Sequence, residues 1–215
     1  MDKERILAAA EDLVKDKLSR DSSGHDWWHI HRVVRMARTI ARQEKADAFV
    51  CELAALLHDY ADEKLNPDPR AAEEELSRWM KANGVDPDTA GHVEEIISTM
   101  SFKGGGRPPM RTLEGAVVQD ADRLDSLGAI GIARTFVYSG WKGRPMHDPG
   151  VKPRETMTAE EYRSGNDTAV NHFYEKLFKL KDRMNTAYGL ELAEERHRLM
   201  ETFLEQFYRE WDGEE

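Results

Sequence analysis

Apolar side chains recur at steps of three and four along most of this chain, and alternating runs bounded by turn residues are missing. That pattern belongs to amphipathic helices and not to strands, so the fold class expected is all-α. A first helix is predicted from Lys3 to Leu18, with Ile6, Ala9, Ala10, Leu13 and Val14 inward and a break at Asp21-Ser22-Ser23-Gly24. A second, from Asp26 to Gln43, carries His29, Val33, Met36 and Ile40 on one face, which puts His29 on a buried stripe. A third, from Ala46 to Tyr60, turns Val50, Leu53, Ala54 and Leu57 inward and closes in His58-Asp59.

Asn66-Pro67-Asp68-Pro69 is a break, after which Arg70 to Ala82 and Asp88 to Met100 read as two further helices, with Asn83-Gly84 and Asp86-Pro87 supplying stop and restart. Lys103-Gly104-Gly105-Gly106-Arg107-Pro108-Pro109 is a loop; it sets a glycine triplet beside cations but lacks the Gly-Lys-Ser/Thr ending of a P-loop. Thr112 to Tyr138 is helical again, in two pieces around Ser126 to Gly131. Ser139 to Asn166 is rich in Gly and Pro and weakly periodic, the character of a functional lid. Thr168 to Trp211 reads as one or two long helices with Phe173, Leu177, Leu180, Met184, Leu199, Phe203 and Phe207 as core candidates. The expectation is a single domain: a core over residues 1–138, a lid over 139–167 and C-terminal helices over 168–211.

Composition narrows the function classes. At 215 residues with 40% hydrophobic content the chain can bury a full core. The single cysteine, Cys51, excludes an internal disulfide framework and a Cys-rich zinc module, and fits a reducing cytoplasm. No stretch approaches a membrane span, and no apolar signal core follows Met1. A net charge of −10 argues against duplex nucleic acid or an anionic membrane as partner. The charge is uneven, however: residues 102–154 hold nine Lys/Arg against five Asp/Glu, a local +4. A basic stretch in an acidic chain suits a small anionic ligand.

The chemistry resides in ionisable groups on apolar faces, which are costly unless paired or bound to metal. His29, His58-Asp59, and Asp120 with Asp122 are such groups, on three predicted helices. Each has a structural alternative. His29 alone reads as a satisfied core histidine, His58-Asp59 as a helix C-terminal pair, and the aspartates as partners of Arg123 or Arg134. Their joint occurrence points to a mixed nitrogen and oxygen donor set for one divalent ion, Mn, Fe, Ni, Co, Zn or Mg. Two aspartates compete for the last donor: Asp120 shares a face with Leu113, Val117 and Leu124, which would bury it, and Asp122 with Val118 and Asp125, so periodicity by itself favours Asp120.

His29, His58-Asp59 and Asp122, in Gln119-Asp120-Ala121-Asp122-Arg123-Leu124, resemble the H…HD…D pattern of the HD-domain metal-dependent phosphohydrolases. The flanks His25-Asp26-Trp27-Trp28-His29-Ile30-His31-Arg32-Val33 and Leu56-Leu57-His58-Asp59 match as well. The resemblance extends to the small stand-alone bacterial HD hydrolases of the YpgQ type through Gln119 to Arg134, Asn171 to Leu177 and Met184-Asn185-Thr186, and so covers nearly the whole chain.

The resemblance implies an HD-domain helical bundle with additional C-terminal helices and a metal held by His29, His58, Asp59 and Asp122, so that it is resemblance that selects Asp122 over Asp120. Asp62 and Glu63 fall where the HD domains of guanosine tetraphosphate hydrolases carry a Glu-Asp pair, which makes them candidates for handling the proton of the attacking water. Lys64, Lys103, Arg107, Arg123 and Arg144 are candidate phosphate contacts. His92, His172 and the Trp27-Trp28 pair read more readily as core or capping groups than as ligand contacts. The expected activity is hydrolysis of a nucleotide, with a nucleoside triphosphate cleaved to monophosphate and pyrophosphate leading. The alternatives are a phosphomonoesterase or phosphodiesterase, and a metal-containing nucleotide-binding regulatory module with little activity. The resemblance also suggests a homodimer.

Overall fold

Ala48 to Leu57 forms a helix, α3, whose residues from Phe49 to Leu57 are all buried. A segment apolar on every side has to be surrounded by other helices, and α3 is. In a computed structural model that describes residues 1–18, 26–62, 66–100, 109–154 and 167–214, the chain divides into two compact units. The first comprises residues 1–101 and 107–122, the second residues 102–106 and 123–215. Nine α-helices and no strands occur among the described residues, and none of these helices is long and apolar enough to cross a membrane.

In the first unit α1 (Lys3–Leu18), α2 (Trp27–Glu44) and α5 (Pro87–Met100) pack on α3, and α4 (Pro69–Ala82) packs on α5. The buried stripes are Ile6, Ala10, Val14 and Leu18 on α1 and His29, Ile30, Val33, Ala37, Ile40 and Ala41 on α2. Local signals set the boundaries. Asp47 caps α3 by accepting from the amides of Phe49 at 2.8 Å and Val50 at 3.3 Å, while Asp68 caps α4 with Pro69 in its first turn. Lys45 closes α2 in the left-handed region at φ 61°. The charged exception on α3, Glu52, accepts from Arg38 Nε at 2.9 Å and Nη2 at 2.6 Å, which offsets the cost of burying its carboxylate. The helix α6 (Leu113–Asp125) starts where the Thr112 hydroxyl accepts from the Gly115 amide at 3.1 Å and meets His92 Nε2 at 2.9 Å, which ties His92 to the start of this helix.

The second unit takes over at the end of α6 and contains α7 (Gly128–Trp141), α8 (Ala169–Glu175) and α9 (Ala187–Trp211). Phe136 of α7, Phe173 of α8 and Phe203 and Phe207 of α9 form its aromatic core, with centroids 5.8 to 6.3 Å apart. The predicted long C-terminal helices are interrupted. After α8 the chain makes two single 3₁₀ turns, Leu177–Lys179 and Lys181–Arg183, before Thr186 caps α9 by accepting from Gly189 at 3.0 Å. Of the predicted core, Phe173, Leu177 and Leu180 are buried, but Leu199 is 47% exposed. The inward face of α9 runs through Gly189, Ala193, Met200 and Leu204, one position removed from Leu199.

The predicted lid is in part fixed structure. Ser139 to Trp141 belong to α7, and the amides of Ala169 and Val170 donate to the carbonyls of Pro145 and Met146 at 3.1 Å each. Asn171 Nδ2 donates to Val151 O at 2.9 Å, and Arg154 grips Glu175 through Nε and Nη2, both at 2.8 Å. Residues 155–166 of that segment lie outside the described residues.

The turn from α6 to α7 leaves no room for a side chain at Gly131, where a Cβ would stand 2.3 Å from the Ser126 carbonyl oxygen. Gly131→Ala is expected to destabilise the protein by about 1–3 kcal/mol, the usual cost of overpacking. Chemical denaturation should show it as a lower midpoint at unchanged slope.

Candidate metal centre

Asp26 opens α2 as its N-cap, and its Oδ1 accepts from the His29 amide at 2.9 Å. The cap fixes the first turn, and His29 leaves that turn pointing inward, 1% exposed. His58 is the C-cap of α3, so it and Asp59 are delivered by the helix buried most completely. Asp122 comes from the last turns of α6.

These side chains converge. His29 Nε2 lies 3.5 Å from Asp59 Oδ2 and 3.5 Å from Asp122 Oδ1, while His58 Nε2 lies 3.3 Å from Asp59 Oδ1 and 3.8 Å from Asp122 Oδ1. The donor atoms of His29, His58 and Asp59 all fall within 4.8 Å of one another, a grouping that can hold a metal ion. Donors about 2.0–2.2 Å from one ion stand roughly 3.0–3.5 Å apart, so the spacing fits common ligation.

His58 supplies the stronger argument. Its Nδ1 lies 2.9 Å from the Ala55 carbonyl oxygen, which only an N–H can satisfy, so the neutral ring carries its lone pair on Nε2. That buried Nε2 has no hydrogen-bond partner among the described residues and faces two carboxylates. Burial works against a charged ring here, yet Asp59, Asp122, the Ala55 carbonyl and Asp62 together raise the His58 pKa above its ordinary value. The pocket favours a positive charge where these atoms meet.

Of the two competing aspartates, Asp122 reaches this cluster with its side chain 37% exposed, and Asp120 is fully buried. Asp62 follows on the turn after α3, with its amide donating to Asp59 O at 3.2 Å. Glu63, Lys64, Lys103 and Arg107 lie outside the described residues. In the second unit Arg123 donates to the Arg183 carbonyl, and Arg144 lies 3.3 Å from Asp167. His172 is held neutral: burial, with Lys176, Arg144 and Arg154 near, lowers its pKa to about 3. Trp27 and Trp28 both pack against the His31 ring, Trp28 with 61% exposure. Cys51 is inert, its thiol pushed up to about 12 by burial and by Glu114, Asp47 and Glu52.

Two supporting groups escaped the sequence reading. Asp26 carries a signal that could have found it, an N-cap aspartate three residues before the amide it binds. The Ala55 carbonyl carries none, because no side chain marks it.

The chain is similar to known proteins over most of its length. The HD domain family model matches residues 27–127, a span that holds all four converging side chains. The Bacillus subtilis protein YpgQ is 41% identical over 202 residues, covering 93% of this chain and 91% of its own. Its crystal structure in complex with ADP superimposes with a TM-score of 0.77 at 37% identity, covering 95% of this chain and 97% of that one. The structure of an HD-superfamily hydrolase from Bacillus thuringiensis matches with a TM-score of 0.80 at 47% identity, over 98% of each chain.

If Asp26 acts as a cap and not as a further ligand, Asp26→Ala should cost about 1 kcal/mol and Asp26→Ser only a few tenths. Urea titration of both variants measures this. A second prediction concerns pH. His172 is neutral in the fold, whereas the unfolded chain takes up a proton below about 6.5, so its contribution is complete above that pH and declines as pH falls toward 3. Asp167, raised by burial and Glu175 against Arg144 and Arg154, acts in the opposite sense below its folded pKa. Between pH 6.5 and 5 the His172 loss should be on the order of 1–2 kcal/mol. His172→Gln should flatten that slope in urea titrations at the two pH values.

Proposed function

The chain belongs to the HD-domain family and is an HD-superfamily hydrolase, and from that premise we propose that it is a divalent-metal-dependent phosphohydrolase of nucleotides. The leading substrate class is a nucleoside or deoxynucleoside triphosphate, cleaved to monophosphate and pyrophosphate. One observation carries the reading: the Nε2 lone pair of His58, fixed by the Ala55 carbonyl, faces the oxygens of Asp59 and Asp122 at 3.3 and 3.8 Å. A nucleotide as ligand is supported by the relative crystallised in complex with ADP.

In this reading His29, His58, Asp59 and Asp122 hold the ion. A divalent metal there supplies Lewis acidity toward a phosphate oxygen and makes a bound water acidic near neutral pH. Asp59 and Asp122 would offset the charge of an ion held there. Asp62 accepts the proton of the attacking water, and Glu63 shares or replaces that role. The phosphate charge falls first to Lys64, Lys103 and Arg107, since Arg123 and Arg144 already engage the Arg183 carbonyl and Asp167.

His58→Ala and Asp122→Ala should lose bound metal on elemental analysis and lose activity by at least about 100-fold. Asp120→Asn should instead lower stability while leaving metal content unchanged. A panel of nucleotides crossed with Mn, Co, Ni, Zn and Mg should yield monophosphate and pyrophosphate. Orthophosphate as product would favour the phosphomonoesterase, and nucleotide binding without hydrolysis would favour the regulatory module.

A further inference from the structure

Asn66 stands where the sequence shows a break before Pro67, yet its side chain reaches back across the turn that follows α3. Its Nδ2 donates to the Tyr60 carbonyl at 2.8 Å and to the Asp62 carbonyl at 3.0 Å, and its amide donates to that same Asp62 carbonyl at 3.0 Å. Within the turn the Tyr60 amide donates to Leu57 O at 3.0 Å and the Asp62 amide to Asp59 O at 3.2 Å. Carbonyls past the last turn of a helix have no partner within it and need one from elsewhere. Here a single asparagine provides it at the two residues on either side of Ala61, and one of those residues is Asp62.

We infer that Asn66 is a positioning residue that holds the backbone of Asp62 so that its carboxylate meets the attacking water. The inference rests on the assignment of Asp62 as proton acceptor made above. Asn66 touches neither ion nor substrate in this role; it acts through Asp62. A displacement of about 1 Å in such a group is enough to cost on the order of 100-fold in rate.

The test is a double-mutant cycle on the Mn²⁺-loaded full-length protein with ATP as probe substrate. Asp62→Ala should lower kcat about 100-fold or more, within the range of a lost general base. Asn66→Ala should lower kcat about 10-fold or more with KM for ATP and bound Mn²⁺ unchanged, and should add no loss when Asp62 is already alanine. Asn66→Asp keeps the size of the side chain but replaces the Nδ2 donor, and should behave as Asn66→Ala does. In the metal-free protein, amide hydrogen exchange over residues 60–66 should be faster in both variants.

An equal loss from Asn66→Ala in both backgrounds would overturn the inference, because Asn66 would then act independently of Asp62. Wild-type kcat in Asp62→Ala would overturn the Asp62 assignment and the inference with it. Loss of cooperative unfolding in both Asn66 variants would make Asn66 a structural clamp of the whole helix end and overturn its positioning role. Should the wild-type protein leave ATP intact, the substrate class is at fault, and unchanged exchange over 60–66 in Asn66→Ala would then overturn the clamp.

Discussion

Two imidazoles and two carboxylates share a small volume in the first unit, and their nearest atoms lie 3.3 to 3.8 Å apart. Oxygen and nitrogen lone pairs at such distances repel, more strongly in a buried site than in water. A cation among them would attract every one of these lone pairs and outweigh their mutual repulsion. The end of α3 adds to the same field, since helix C-termini carry partial negative charge and His58 sits at that terminus. The surrounding helices can be understood as what holds this unfavourable cluster together. Helix α3 has to be buried on all sides to fix His58 and Asp59, α2 has to be capped at Asp26 to aim His29, and α6 has to begin firmly at Thr112 to bring Asp122 in from the other side.

The end of α3 shows how such a cluster is kept rigid. The Ala55 carbonyl meets the His58 ring, the Leu57 carbonyl accepts from Tyr60, the Asp59 carbonyl from Asp62, and the Tyr60 and Asp62 carbonyls from Asn66. Five carbonyls at this helix end thus have a partner between His58 and Asn66. Backbone that is satisfied locally does not depend on water for its hydrogen bonds.

Helices α1 to α7 are legible because apolar residues recur at helical spacing between break residues, and the structure moves their ends by a few residues at most. The fourth converging side chain was legible by resemblance alone. Periodicity points to Asp120 because it detects the centre of a buried face, and Asp120 is indeed fully buried. A group at the rim of such a face can meet both the interior cluster and solvent, and Asp122 lies there with 37% of its side chain exposed. The C-terminal region was read less well for a related reason. Its apolar spacing runs on through Leu177 and Leu180, so period alone continues the helix, while caps at Thr168 and Thr186 divide it. Asn66 was read as a break because a side chain that satisfies distant carbonyls leaves no periodic trace.

The charge distribution changes meaning once partners are known. Residues 102–154 carry +4, which reads as a surface waiting for phosphate. Four of that segment's arginines are engaged in structure: Arg123 on the Arg183 carbonyl, Arg134 on Asp125 at 2.6 Å, Arg144 on Asp167 and Arg154 on Glu175. Such pairs hold elements together, because removing one partner leaves a buried charge uncompensated. Lys142 lies over the Trp141 ring at 4.4 Å, and Arg111 reaches Glu95 at 3.7 Å from an exposed position. The local +4 is therefore taken up in large part by partners within the fold and does not by itself mark a phosphate-binding surface.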